Sequence, residues 1–174
     1  MLRWSLVGFC LLLCACAAPS QSVNVSSSAV ELHDPQLYIV PFETIMVPTE
    51  VSANLFDLFV DQLNRQGSQR GIEFIILKQG LAEIDVAWLA EKSYLRGELF
   101  AYIEDVGSAM TVIKSRSRIR LFQPGQSEAA LQLTLPKEVF YQNDYSSLPA
   151  ERRKMAEEIA RTLADQFLST VTLR

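Results

Sequence analysis

The chain has 174 residues, a formal net charge of −4 and 49% apolar residues, which suits one domain of ordinary core size preceded by a leader and a linker. A mildly acidic domain is a poor non-specific binder of nucleic acid. Cys10, Cys14 and Cys16 all fall in the first sixteen residues and the single histidine is His33. That excludes a His-metal cluster or a Cys-based metal site in the domain and argues against a Ser-His-Asp triad, so no cofactor, metal or catalytic residue is expected.

Residues 1–15 follow the plan of a secretory signal peptide, with Arg3 as the positive start and Leu6 to Leu13 as an apolar run too short to span a bilayer. The three cysteines rank clearly as processing sites. Cys10 follows the bulky Phe9 and Cys14 the bulky Leu13, whereas Cys16 follows Leu13-Cys14-Ala15, a Leu and then a small residue before the cysteine. That stretch resembles the lipobox of bacterial lipoproteins. The resemblance implies that residues 1–15 are removed and that Cys16 carries the lipid, palmitate included. Two or three acyl chains at about 0.8 kcal/mol per buried CH₂ would anchor the protein stably. An ordinary signal peptide cut after Ala17 or Ala18, or an uncleaved anchor, are the alternatives. Ala17 in place of an aspartate leans, by resemblance to Gram-negative lipoproteins, toward the outer membrane facing the periplasm.

Residues 16–35 are then the lipidated cysteine and a flexible tether, rich in Ala, Ser, Gln, Pro and Asn without helical or strand period. Fully extended it would reach roughly 60 Å. Asn24-Val25-Ser26 matches a glycosylation sequon and is read as chance.

Residues 36–174 form the domain. Leu37 to Phe42 reads as a buried strand ended by Pro41. A helix follows with Thr49 as N-cap and Val51, Leu55, Leu58, Phe59 and Leu63 on one face, closed by Gln66-Gly67. Asp57, Asp61 and Arg65 on its polar face read as a solvated surface with one ion pair rather than a carboxylate site. Residues 72–77 form a second buried strand. Residues 81–92 form a short helix whose Trp88 plugs the core.

Strands at 94–105 and 109–122 follow, joined by Asp105-Val106-Gly107-Ser108. A third at 129–135 is stopped by Pro136. Residues 137–147 read as a loop whose Phe140, Tyr141 and Tyr145 fold back over the core or form a partner patch. Ser147 or Ser146 caps a final helix with the core stripe Met155, Ile159, Leu163, Phe167 and Val171. The second meander strand carries a basic row, Lys114, Arg116, Arg118 and Arg120. It reads either as a docking face for an acidic partner, anionic lipid or glycan, or as a solvated face paired cross-strand with Glu98 and Glu104; the pairing is preferred.

This order of elements gives an α+β fold, a two-layer sandwich whose mixed sheet holds an antiparallel meander and is covered on one face by helices. With Val40-Pro41-Phe42 and Leu95-Arg96-Gly97-Glu98-Leu99, residues 36–172 resemble periplasmic lipoproteins with a domain like the N-terminal domain of TolB, among them LpoB-type activators of peptidoglycan synthases and CsgG-type secretion lipoproteins. The chain looks too short for CsgG's membrane-spanning strands. The resemblance implies a non-catalytic lipoprotein held to the membrane by its lipid, which binds another cell-envelope protein. A competing resemblance, to auxiliary lipoproteins of ABC-type lipid or solvent transporters, implies a transport accessory.

Overall fold

A computed structural model describes residues 24–25 and 29–174. The leader and Cys16 lie outside the described residues. The domain is a two-layer α+β sandwich. Its main sheet has the order β1-β7-β6-β5-β3-β4, built from β1 (Asn24–Val25), β3 (Gln36–Thr44), β4 (Glu73–Ile76), β5 (Tyr94–Val106), β6 (Met110–Phe122) and β7 (Leu131–Gln142). β3 runs parallel to both β4 and β5, while β5, β6 and β7 form the expected antiparallel meander. α1 (Thr49–Gly67) and α3 (Leu148–Thr170) pack on each other and on one face of the sheet. Phe59, Leu55 and Leu63 of α1 and Phe167 of α3 are fully buried against Ile39, Leu95, Leu99, Ile113 and Ile119 of the sheet.

The ordered domain begins before residue 36. β2 (Val30–Leu32) pairs in parallel with the C-terminal β8 (Val171–Leu173), and Val30 and Leu32 are buried. Asn24 and Val25 pair with Thr134 and Leu133 of β7. Segments of two and three residues are too short to carry a strand period, and their partners lie more than 100 positions away.

Both prolines taken as strand ends lie inside strands. The β3–β5 register steps from Val40↔Arg96 to Glu43↔Glu98, so Pro41 and Phe42 together oppose Gly97 in a bulge. A residue without an N–H is tolerated where the ladder is already interrupted. Phe42 thereby turns into the core, against Phe56 and Phe59 of α1 with ring centroids 5.8 Å and 5.3 Å away. Pro136 pairs with Arg116 in β7 beyond the pairing with β1, where β7 is the sheet edge among the described residues, so the strand runs on to Gln142. Tyr141 packs against the core, while Phe140 and Tyr145 stay exposed.

Helix starts differ too. Thr49 is the first residue of α1 and Pro48 the N-cap, with no side-chain cap bond. At α3, Ser147 is the N-cap without a side-chain bond, and the Ser146 hydroxyl donates instead to Glu151 (2.7 Å). Arg65 Nε donates to the main-chain oxygen of Asp61 (3.3 Å), and Asp57, Asp61 and Arg65 are exposed. The stretch 81–92 holds a 3-10 turn and the five-residue α2 (Val86–Ala90), capped by Asp85. α2 lies on the sheet face away from α1 and α3, where Ile84 and Leu89 cover Val40 and Tyr94 in a small second core. Trp88 is not a core plug: it is 37% exposed, edge-on to Tyr38 and beneath Lys92.

Candidate functional site

Among the described residues, the face of the sheet opposite α1 and α3 is sheltered only by α2 and its flanks, at the β3–β4 side. The three long strands β5, β6 and β7 present the rest of it. On β6 the alternation resolves with Thr111, Ile113, Ser115, Ser117, Ile119 and Leu121 buried, which leaves Lys114, Arg116, Arg118 and Arg120 on the outer face. The middle of the inner face is small and polar because α3 sits directly over it: the Ser115 hydroxyl lies 3.8 Å from Met155 Sδ.

Three of the four basic residues have carboxylate partners. Glu98 stands opposite Arg118 on β5 and binds both Arg118, through Nε at 3.0 Å, and Arg120. Arg96 joins at 3.7 Å and holds Glu43 with its Nη2 at 2.5 Å. The Arg118 guanidinium also lies 5.1 Å from the Phe100 ring centroid. Burial of the Glu98 carboxyl pushes its pKa up, but the Arg118 hydrogen bond and the charges of Arg120 and Arg118 outweigh that and hold it below the usual carboxylate value. Lys114 pairs with Glu138 of β7 at 2.6 Å. Arg116 alone of the row is exposed without an ion pair among the described residues.

Glu104 does not join the basic row. The β5–β6 register steps from Phe100↔Arg116 to Ile103↔Lys114, so Ala101 and Tyr102 share the place opposite Ser115. Ala101 takes φ 52°, in the left-handed region that alanine rarely adopts. The extra residue reverses the faces: Leu95, Gly97 and Leu99 point inward before it, and Tyr102 and Glu104 after it, while Ile103 turns outward. Glu104 therefore meets α3. It accepts from Arg152 Nε (2.7 Å) and Nη2 (2.8 Å) and from the Tyr102 hydroxyl. The Arg152 hydrogen bond holds the Glu104 pKa down, and burial together with the Glu104 contact pushes the Tyr102 phenol up.

Both depressed carboxylates make the fold sensitive to acid. An unfolded glutamate titrates near 4.3, above the folded values of Glu98 and Glu104. Their stabilisation is present above that pH and is lost as pH falls toward the folded values. We expect the urea midpoint to drop below about pH 5, and the drop to shrink in a Glu104→Gln, Arg152→Met double variant. An unchanged pH profile in that variant would mean the Glu104–Arg152 pair adds nothing to acid sensitivity.

The outer face also carries two open pockets. One, about 440 Å³, is lined by Glu43, Ile45, Arg96, Glu98, Phe100 and Arg118. The other, about 400 Å³, follows the β5 bulge between Ala101, Lys114, Arg116, Pro136 and Glu138. Among the described residues no group of three or more His, Cys, Asp or Glu side chains is placed to hold a metal, and no helix is long and apolar enough to cross a membrane.

No protein-family model matches the chain, and no curated protein matches it. Solved structures do. The domain is similar to the PelC dodecamer from Paraburkholderia phytofirmans, at 11% identity and TM-score 0.53 over 80% of this chain and 95% of that one. It is also similar to the hypothetical protein CT253 from Chlamydia trachomatis, at 9% identity and TM-score 0.50 over 78% of this chain and 96% of that one. At these identities, what the three chains share is the fold.

Proposed function

We propose that the protein is a non-catalytic, lipid-anchored accessory of the bacterial cell envelope, facing the periplasm from the outer membrane, and that it binds another envelope protein through the open face of β5, β6 and β7. The anchoring half of this reading rests on Leu13-Cys14-Ala15-Cys16 and the apolar run before it. The binding half rests on one observation: among the described residues Arg116 is exposed without an ion pair in the groove beside the bulge, while its neighbours in the row are paired with Glu98 and Glu138. An unpaired guanidinium among Ala101 and Pro136 suits a carboxylate on a partner's extended segment. PelC in the comparison is a dodecamer, a precedent for assembly in this fold.

The test separates Arg116 from its neighbours. Reversal of Arg118 would place a carboxylate beside Glu98 and perturb the sheet, so Arg116→Glu is the clean variant. A photo-crosslinking residue at position 116 should capture one envelope protein in cells. Arg116→Glu should abolish a functional interaction with that protein while the thermal midpoint stays within about 2 °C of the parent, as surface substitutions do. Capture of no envelope protein, with the chain folded and in the membrane, would refute the binding half.

A further inference from the structure

The β5–β6–β7 meander runs past the end of β3: Thr44, the last residue of β3, pairs with Leu99, while β5 continues to Val106. This far end of the ribbon gathers exposed apolar side chains. Met110 is 50%, Phe140 59% and Tyr145 86% exposed, with Val106 and Ile103 likewise open. Backbone pairing holds them at one end. Met110 stands opposite Gln142 and Val112 opposite Phe140, while Asn143 N–H donates to Ala109 O and Tyr145 N–H to Gln142 O, closing the turn beside the β5–β6 hairpin. The first turns of α3 add the exposed Arg153 and Lys154. Exposed acids are present too, at Asp105 and Asp144, so the end has no strong net charge. A cluster of this kind marks a contact surface, and Tyr, Phe and Met beside basic residues suit the boundary between lipid headgroups and chains.

The N-terminal segment points the same way. β1 is antiparallel to β7, with Asn24 opposite Thr134 and Val25 opposite Leu133. Followed back toward the N-terminus, the strand direction at Asn24 therefore leads toward Gln142 and the hairpin tip. From Asn24 to Cys16 is eight residues, a span of at most about 28 Å. From Thr134 to Gln142 is also eight residues, about 27 Å of strand. A lipid on Cys16 can thus reach the level of the tip at full extension; the other end of β7, three residues from Thr134, lies within the same reach, so the direction of β1 is what favours the tip. At the other end of the sheet, the α2 region and the β6–β7 turn expose Glu83, Asp85, Glu91 and Glu128.

We infer that the exposed end formed by Val106, Met110, Phe140 and Tyr145 rests on the lipid surface that holds the Cys16 anchor, so that the sheet stands on the membrane with its α2 end pointing away. The inference rests on the lipidation of Cys16. The contact is apolar, so salt, which screens charges, does not release it. It places Arg116, six residues along β6 from Met110, about 20 Å above the membrane surface, where an envelope partner can reach it.

The test uses the full-length protein expressed with its leader, purified in detergent and returned to phosphatidylethanolamine–phosphatidylglycerol vesicles with brominated acyl chains. Trp4 lies in the leader and Trp88 in α2, so the processed parent carries one tryptophan, at the end placed away from the membrane. In a Trp88→Phe background, Phe140→Trp, Met110→Trp and Tyr145→Trp each move the fluorophore to the tip; three sites guard against one that misfolds. Expected are a blue shift and bromine quenching at the tip positions, undiminished at high salt, and none at Trp88 in the parent. Membrane-bound protein without tip quenching would overturn the inference while leaving the anchor intact. Quenching of Trp88 instead would place the opposite end down. A blue shift at the tip without bromine quenching would give the surface to a second copy of the chain and overturn the inference. Protein that does not float with the vesicles would refute the anchor itself, and the inference with it.

Discussion

Gly97→Ala should cost about 3 kcal/mol of stability, the upper end of what overpacking a core produces. A Cβ on Gly97 would sit 2.1 Å from one ring carbon of Phe42 and 2.2 Å from a second. The ring cannot move aside, because Phe56 and Phe59 of α1 pack against it and the Pro41 bulge sets its backbone. Nor can Gly97 shift, since β5 is bonded to β3 on one side and β6 on the other. Urea denaturation checks the value. Phe42→Leu should itself destabilise the parent but recover part of the loss in the Gly97→Ala background, a coupling that a double-mutant cycle measures directly. A Gly97→Ala protein within about 0.5 kcal/mol of the parent, the range of a neutral surface change, would mean that the Phe42 ring is free to move.

Cys16→Ser should remove the protein from the membrane altogether or halt its processing, the largest functional change that one substitution can make here. Each acyl chain buried contributes about 0.8 kcal/mol per CH₂, and a serine accepts no thioether-linked lipid. No helix among the described residues could take over the anchoring. Fractionation with mobility on a gel reads both outcomes: a shift to the soluble fraction, or a slower-migrating precursor. Unaltered fractionation and processing would overturn the lipidation of Cys16 and favour cleavage after Ala17 or Ala18, or an uncleaved leader.

Much of the fold can be read from residue order alone, because its long elements carry their own periods. β5 and β6 end within one residue of the expected limits, and the α3 stripe of Met155, Ile159, Leu163 and Phe167 is fully buried. The misread strand limits share one cause, a local signal overruled by a partner distant in sequence. Pro41 and Pro136 break a ladder only when their missing N–H faces a neighbouring strand, and neither does so here. Val30 and Leu32 pair with a strand 141 residues away.

The outer face is misread for a different reason. Strict alternation places Glu98 among the arginines, as the structure has it, and would place Glu104 there too. The bulge at Ala101 breaks the alternation, and nothing in Phe100-Ala101-Tyr102 announces it. The two short motifs behind the TolB-like resemblance prove to be one packing unit: the Phe of Val40-Pro41-Phe42 fills the space left by the Gly of Leu95-Arg96-Gly97-Glu98-Leu99.

The pairing of β2 with β8 sets how the domain would bear a pull on its anchor. Tension entering from Cys16 first meets the two-residue pairing of β1 with β7. Its release would free the chain between Asn24 and Val30, whose contour is at most about 20 Å. The load then falls on β2, whose partner β8 follows α3 without a break, so it enters α3 before it reaches the β5–β6–β7 ribbon on which that helix packs. The N-terminal segment would thus act as a take-up reel, absorbing changes in the distance between membrane and partner before the groove beside Arg116 is disturbed.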